Sequence, residues 1–468
     1  MYQSRRASLA SSSLDINSLS TDVRSVRGTG RDVARDRWIT VEPILFLASM
    51  SSGILLVTRL QYLRARIAHD FFNQSSDFGA NVSACDDSLN SSSYAIEQAV
   101  QARLSLYALI LNALSTFPAI FTTILIGSLS DRIGRRVGLV TPLVGLVLQA
   151  AIYVAVYYLR LPIWVCFIAD TLQGVTGGYG LLLSTASAYV VDIVEDEMRT
   201  WRIVVVEIFL VLGGGLIQPI NGFLIKYFGM GVAFDLALGV ALPGLLYAML
   251  PWFTPETIDN EANKLDSLSD KLSDIFQGIF STLSVRSGGR RWKILTLCTA
   301  ELFLVTCING VPITTTYGLG PPFCWGPATV GYFTAALAIS PCVGVPVAVK
   351  VLSLCMNELW LMHSGTVFLL ATFVAMALAP STPFIFAGVA PYSIGTLVSP
   401  VMRGVLSKIV ANHEQGSIFA LAGCIHNISQ FIGPLVSNAV YSSTVALFAP
   451  LVFWLFAGLL VIPTVLIG

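Results

Sequence analysis

Gly127-Ser-Leu-Ser-Asp131-Arg132-Ile-Gly134-Arg135-Arg136 lies between two long apolar runs, 101–126 and 137–158. Three arginines, one aspartate and two glycines within ten residues suit a tight, charged turn at a membrane surface. Arginine in a short loop marks that surface as the cytoplasmic one. Reading the stretch as a hinge between two membrane helices fixes how the rest of the chain is divided.

The composition agrees. The 468 residues are 55% hydrophobic and only 12% charged, with a mean hydropathy of +0.75, whereas charged residues make up about a quarter of a soluble domain. The chain reads as an all-α membrane protein. Stretches near the roughly 20 residues a spanning helix needs can be cut at 41–63, 101–126, 137–158, 162–191, 203–225 and 232–252, then at 294–317, 328–350, 359–379, 384–402, 416–440 and 444–467. They predict twelve transmembrane helices in two six-helix bundles, 41–252 and 294–468. Between them, 253–293 is polar and Ser/Gly-rich, as a cytoplasmic linker is. Residues 1–40 are rich in Ser and Arg and lack the apolar core of a signal peptide, so they read as a disordered cytoplasmic tail. In that tail Arg5-Arg6-Ala7-Ser8 matches a basophilic kinase site.

Positive charge tests the topology. Of the 27 Lys and Arg, 21 fall on the predicted inner side, five fall outside, and Arg59 lies in the first span. That excess places both termini in the cytoplasm. The first outer loop, 64–100, carries three acceptor sequences for glycosylation, at Asn73, Asn81 and Asn90. A fourth match, at Asn427, falls inside a span and is expected to stay unmodified. Cys85 in that loop and Cys324 between helices seven and eight both face an oxidising compartment, and no other outer cysteine is evident. A disulfide between them is expected. The eight cysteines show no CxxC or Cys/His ligand spacing. No metal or other cofactor is expected, and the zero formal net charge gives no argument for a nucleic-acid partner.

A charge near the middle of a span costs about 2.5 to 3.5 kcal/mol on insertion scales, so each one needs a reason. Five candidates stand out: Arg59, Asp170, Glu207, Asp235 and Glu301. Asp170 and Asp235 fall near the outer ends of their spans, where they can reach water. Glu207, in VVVEIFLVLGGG, has apolar neighbours on both sides, with Gly213 to Gly215 allowing another helix close. Arg59 can snorkel or meet an anion. Arg403, in SPVMRGVLSK after Pro400, is either an inner anchor or a cation in a cavity. His363 and His426 also fall in spans, where a lone imidazole is more often a packing group than a proton relay.

Placed after the second span, G-x-x-x-D-R-x-G-R-R resembles the signature loop of the major facilitator superfamily. Further stretches resemble the solute-carrier family that contains the proton-coupled folate transporter. They include VEP at 41–43, Gln61-Tyr62, Asp192 followed by RTWR and Glu207, PFCW at 322–325, Gly331-Tyr332, SPVMRGVLSK at 399–408, Glu414-Gln415-Gly416 and AGLLVIPTVLIG at 457–468. The resemblance implies a two-bundle transporter working by alternating access, with the substrate near the midplane. Members carry folates, muropeptide fragments or cyclic dinucleotides, often with protons. Glu207 matches the family's fifth-helix carboxylate and Arg403 its tenth-helix arginine. Where the folate carriers place a helix-four carboxylate and a helix-seven histidine, this chain has Gly178 and Cys307.

The expected function is therefore proton-coupled import of a small organic anion across a lipid bilayer, at the plasma membrane or the lysosome. Glu207, with Glu301 next, is the candidate proton site, and Arg403 and Arg59 are the candidate anion contacts. Gly127, Asp131, Arg132, Gly134, Arg135 and Arg136, together with Asp192, would form a cytoplasmic latch. Two other readings remain, a proton-driven drug exporter and a membrane receptor that binds without transporting. In the exporter motif a glycine precedes the fifth-helix proline, where this chain has Gln218 before Pro219. No nucleophile or phosphate motif points to an enzyme, and a homodimer is left open.

Overall fold

The structure, a computed structural model, describes residues 39–72, 91–195, 197–257, 290–319, 323, 325, 327–410 and 414–467. The tail with Ser8, the acceptors Asn73, Asn81 and Asn90, the pair Cys85 and Cys324, and linker residues 258–289 lie outside the described residues. The first half supplies α1 (Glu42–Phe72), α2 (Ser91–Ile133), α3 (Arg135–Tyr158), α4 (Trp164–Val175), α5 (Gly178–Ile193), α6 (Arg199–Phe228) and α7 (Met230–Met249). The second supplies α8 (Arg290–Gly310), α9 (Ile313–Leu319), α10 (Pro327–Leu352), α11 (Glu358–Ala377) and α12 (Thr382–Ala387), then α13 (Val389–Gly395), α14 (Val398–Ile409), α15 (Gln415–Phe448), α16 (Leu451–Leu459) and α17 (Val461–Ile467). Among the described residues there is no strand. The protein is an all-α membrane protein.

By length and composition, ten segments among the described residues can cross a bilayer. The expected span 162–191 is helical but broken between α4 and α5, and the last one is a shorter apolar stretch, Leu451–Ile467. The break falls at Thr176-Gly177-Gly178, where Gly177 (φ +94°) and Gly178 (φ +55°) adopt left-handed backbone that a side chain would strain. Inside a membrane the freed peptide groups need partners. The Gly177 carbonyl accepts from the Leu181 N–H at 3.2 Å and also from Thr123 Oγ1 on α2 at 3.2 Å, and Asn427 Nδ2 on α15 donates to that hydroxyl at 3.2 Å.

The charged hinge is tighter than the sequence suggests. Helix α2 runs through Gly127 and Asp131 to Ile133, because Ser-Leu-Ser-Asp-Arg-Ile contains no breaker, and α3 starts at Arg135. Gly134 alone makes the turn, with φ +130°. The first outer loop is also shorter than 64–100, since α1 continues to Phe72 and α2 begins at Ser91.

Two apolar cores form, one from residues of α1 to α7 and one mainly from α8 to α17. Ala188, Val191, Ile203 and Val204 of the first half join the second core, so the halves meet through α5 and α6. That contact lies at the end of the molecule carrying Gly134, Arg199 and Lys408, termed the inner end. Glycines bring the backbones together there. A Cβ on Gly127 would lie 2.5 Å from Ala420 Cβ on α15, and one on Gly404 would lie 2.4 Å from Thr200 Oγ1 on α6. Close beside them Thr200 Oγ1 donates to Glu358 Oε1 at 2.5 Å, a bond across the two halves.

These contacts join the two halves at this end. Gly404→Leu should wedge it open and raise the labelling rate, by a membrane-impermeant thiol reagent applied from the inner side, of a cysteine placed at Leu183. An increase of about tenfold is expected, the effect of roughly 1.4 kcal/mol on a two-state equilibrium. An unchanged rate would mean that the glycine contact does not set the closure.

Candidate functional site

A cavity of about 430 Å³ lies between the halves. Its walls are mainly apolar, from Val211 on α6, Ile308 on α8 and Leu337 on α10 among others. Its polar groups come from both halves, with the hydroxyls of Thr315, Thr334, Thr396 and Ser399 beside the larger ones. Tyr179 and Glu207 face it from α5 and α6, and Asn309, Tyr392, Arg403 and His426 from the second half.

Arg403 is the centre of this group. Its side chain is 2% exposed, yet the guanidinium is divided among three directions. Nη1 donates to Glu207 Oε1 at 2.7 Å, linking α14 to α6 across the two halves. Nε lies 3.5 Å from Glu301 Oε1 on α8. Nη2 is buried with no hydrogen-bond partner, and Arg403 itself lines the cavity. A planar guanidinium offers five N–H donors in fixed directions, which lets one side chain serve several oxygens at once.

The two carboxylates differ. Glu207 lines the cavity and keeps 18% side-chain exposure. Glu301 is 1% exposed, and neither of its oxygens makes a hydrogen bond. One guanidinium therefore faces two carboxylates, which leaves a net charge of −1 when all three are ionised. A single proton makes the trio neutral.

Arg59 is placed elsewhere. It is not among the residues lining the cavity, and its Nη1 binds Asp170 Oδ1 on α4. Asp170 also accepts from Gln149 Nε2 at 3.1 Å and from Tyr153 OH at 2.5 Å, both on α3. Its side chain is fully buried, so it does not reach water as its position in the span suggests. Four polar side chains thus clamp α1, α3 and α4. Asp235 does reach the surface, where it accepts from Tyr158 OH at 2.6 Å.

At the inner end Arg135 and Asp192 come together. Arg135 Nε lies 2.7 Å from Asp192 Oδ2, and its Nη1 donates to Ser130 Oγ at 3.1 Å. The Asp131 and Arg132 side chains lie outside the described residues. Glu256 and Thr257, just past α7, complete the group. Glu256 accepts from the backbone N–H of Arg135 at 2.7 Å and of Arg136 at 3.3 Å, placing a carboxylate on the N-terminus of α3. Thr257 Oγ1 donates to Asp192 Oδ2 at 3.1 Å, and Arg136 Nη2 donates to the Met249 carbonyl. Sequence reasoning missed Glu256 and the trio Thr200, Glu358 and Lys408, in which Lys408 Nζ lies 2.8 Å from Glu358 Oε1. Their only signal was an acidic residue at a helix end on a basic face.

A cavity between two helical halves, floored by a shared buried cation, defines a solute transporter. The sequence profile of the Major Facilitator Superfamily matches residues 77–322. The chain belongs to that superfamily. It is 28% identical over 431 residues to the proton-coupled folate transporter of Rattus norvegicus, covering 92% of this chain and 91% of the relative. It is 26% identical over 433 residues to the lysosomal proton-coupled steroid conjugate and bile acid symporter SLC46A3 of Gallus gallus, covering 91% and 92%. It thus resembles the solute-carrier family that contains the folate transporter. Among solved structures, the human organic anion transporter MFSD10 (TETRAN) superposes with a TM-score of 0.72 at 17% identity, covering 92% of this chain and 98% of that one. The fucose:proton symporter of E. coli superposes with a TM-score of 0.63 at 13% identity, covering 91% and 96%.

The Arg59 clamp gives a stability test. Asp170→Ala leaves a buried guanidinium without its countercharge, a loss of about 3 to 5 kcal/mol. The thermal midpoint of the detergent-purified protein should fall clearly, and Arg59→Leu combined with Asp170→Leu should recover part of the loss. Equal midpoints for wild type and the single variant would contradict a clamp.

Proposed function

We propose that the protein is a proton-coupled symporter that imports an organic monoanion with an apolar body, and that Arg403 is where anion and proton meet. The observation that carries this reading is the division of Arg403 between Glu207, Glu301 and one unpartnered arm in the cavity. With the outer mouth open, water in the cavity carries a proton to Glu207. The neutral carboxyl no longer holds Nη1, so Nη1 and Nη2 together can take an oxyanion in a two-pronged contact. Glu301 keeps Nε throughout.

Charge bookkeeping favours one proton per anion. Before loading, one cation and two carboxylates sum to −1; after loading, one cation, one carboxylate, one neutral carboxyl and one bound anion again sum to −1. Occlusion then buries no additional charge, which a dry interior penalises heavily. When the inner mouth opens, loss of the proton restores the Glu207 contact and expels the anion.

The relatives named as proton-coupled support the coupling, and the mainly apolar walls with one cation suit an amphipathic monoanion better than a folate dianion. Gly178 points the same way, because its left-handed backbone would strain a carboxylate-bearing residue. The exporter reading gains nothing, since Gln218 Nε2 donates to the Gly53 carbonyl at 3.2 Å and serves to join α6 to α1. In the proposed orientation 41–252 and 294–468 rock as two bundles with the inner end and both termini in the cytoplasm. The group around Arg135 and Asp192, whose partners named above all belong to the first half, then stiffens one wall of the inner mouth, and the contacts at Gly127, Gly404 and Thr200 act across it.

Reconstituted vesicles and a radiolabelled steroid sulfate test the coupling. Glu207→Gln, a permanently neutral mimic, should keep substrate exchange between the two sides. It should lose the acceleration that an inward proton gradient gives the wild type. Undiminished gradient-driven accumulation by this variant would place the proton elsewhere.

A further inference from the structure

A second side chain in the cavity has an unsatisfied buried polar atom. His426, on α15, lines the same cavity as Arg403, and its Nδ1 is buried without a hydrogen-bond partner. The rest of the ring is well held. Its face stacks on Tyr179 of α5, with ring centroids 5.8 Å apart and planes 24° from parallel. Its Nε2 lies 3.1 Å from Gln430 Nε2, one helical turn along. With the Gln430 amide nitrogen as the donor, the imidazole Nε2 accepts and the ring proton sits on Nδ1. The result is an imidazole fixed on two sides with its N–H left over. Leaving a buried donor unpaired is costly, and because His426 lines the cavity, an acceptor brought into it can relieve that cost.

Arg403 Nη2 is the other buried donor in this cavity that lacks a partner. Two unpaired donors from different helices and no unpaired cation beyond them describe a receptor for one oxyanion with at least two acceptor oxygens. Carboxylate and sulfate share that chemistry. We propose that His426 is a substrate-binding residue, donating from Nδ1 to the anionic head that Arg403 holds, with Tyr179 backing the imidazole and Gln430 setting its tautomer. The inference rests on the anion-transport reading above and assigns the recognition of the head group within it. Because Tyr179 belongs to the first half and Arg403 and His426 to the second, head-group binding would also draw α5 toward α14 and α15.

The test uses the full chain in proteoliposomes and three labelled probes with one ring system: a steroid sulfate, the corresponding carboxylate and the uncharged parent sterol. His426→Phe keeps the stacking face and removes the donor, and His426→Asn keeps a donor near the Nδ1 position. Loss of a hydrogen bond to a charged acceptor should raise KM for both anions about 10- to 100-fold in His426→Phe, with Vmax and protein abundance unchanged. His426→Asn should restore much of the KM. Should KM respond for only one of the two anions, the head group recognised is that one. An unchanged KM in His426→Phe, or a fall in Vmax alone, would overturn the assignment while leaving anion transport intact. Wild-type protein that neither carries nor binds either anion would instead overturn the transport reading and this inference with it.

Discussion

One buried guanidinium between two carboxylates is the constraint on which the proposed function rests. Arg403 alone would be intolerable in a membrane interior, and Glu207 and Glu301 alone would be two unpaired negative charges. Together they offset one another, and with all three ionised the set is one charge short of neutral. That shortfall is useful, because a proton can correct it and an anion can exchange with a carboxylate for the same N–H groups. In the proposed mechanism the coupling needs no separate relay, since the proton and the anion act on the same three side chains.

The link between Arg403 and Glu207 spans the two halves of the molecule, so whatever changes that bond also changes how the halves are held. Glycine contacts at Gly127 and Gly404 let the helices of the inner end approach to backbone distance. The bond from Thr200 to Glu358 adds a polar fastening that is simple to remake. Arg135, Asp192 and Glu256 do a different task, anchoring the start of α3 and the segment after α7 to the end of α5. The inner end is thus closed by small residues across the halves and stiffened by charged ones.

The sequence carried much of this and withheld a definite part. Intramembrane charge was legible: Arg59, Asp170, Glu207, Asp235 and Glu301 each stood out because hydropathy alone would exclude them, and Arg403 stood at the end of a span as either an anchor or a cavity cation. Their pairing was not, since Glu207 and Arg403 are 196 residues apart and periodicity along one helix does not say which neighbour it faces. Arg59 therefore read as an anion contact, whereas the structure pairs it with Asp170. Helix ends were misread for a local reason. The turn at Gly134 needs only one left-handed residue, and the run before it stays helical. The break at Gly177 was hidden in an apolar run, and the side chains that brace it, Thr123 and Asn427, come from distant helices. The role proposed for His426 rests on what surrounds it, a stacked tyrosine and a glutamine that together leave one nitrogen unpaired.

If anion and carboxylate compete for Arg403, binding the anion must raise the affinity of the site for a proton, and the coupling is reciprocal. The direct measurement is proton uptake by purified protein in weakly buffered solution, followed with a pH dye while a steroid sulfate is added. The account requires uptake of about one proton per anion bound, abolished in Glu207→Gln. Anion binding with no proton uptake by the wild type would contradict it.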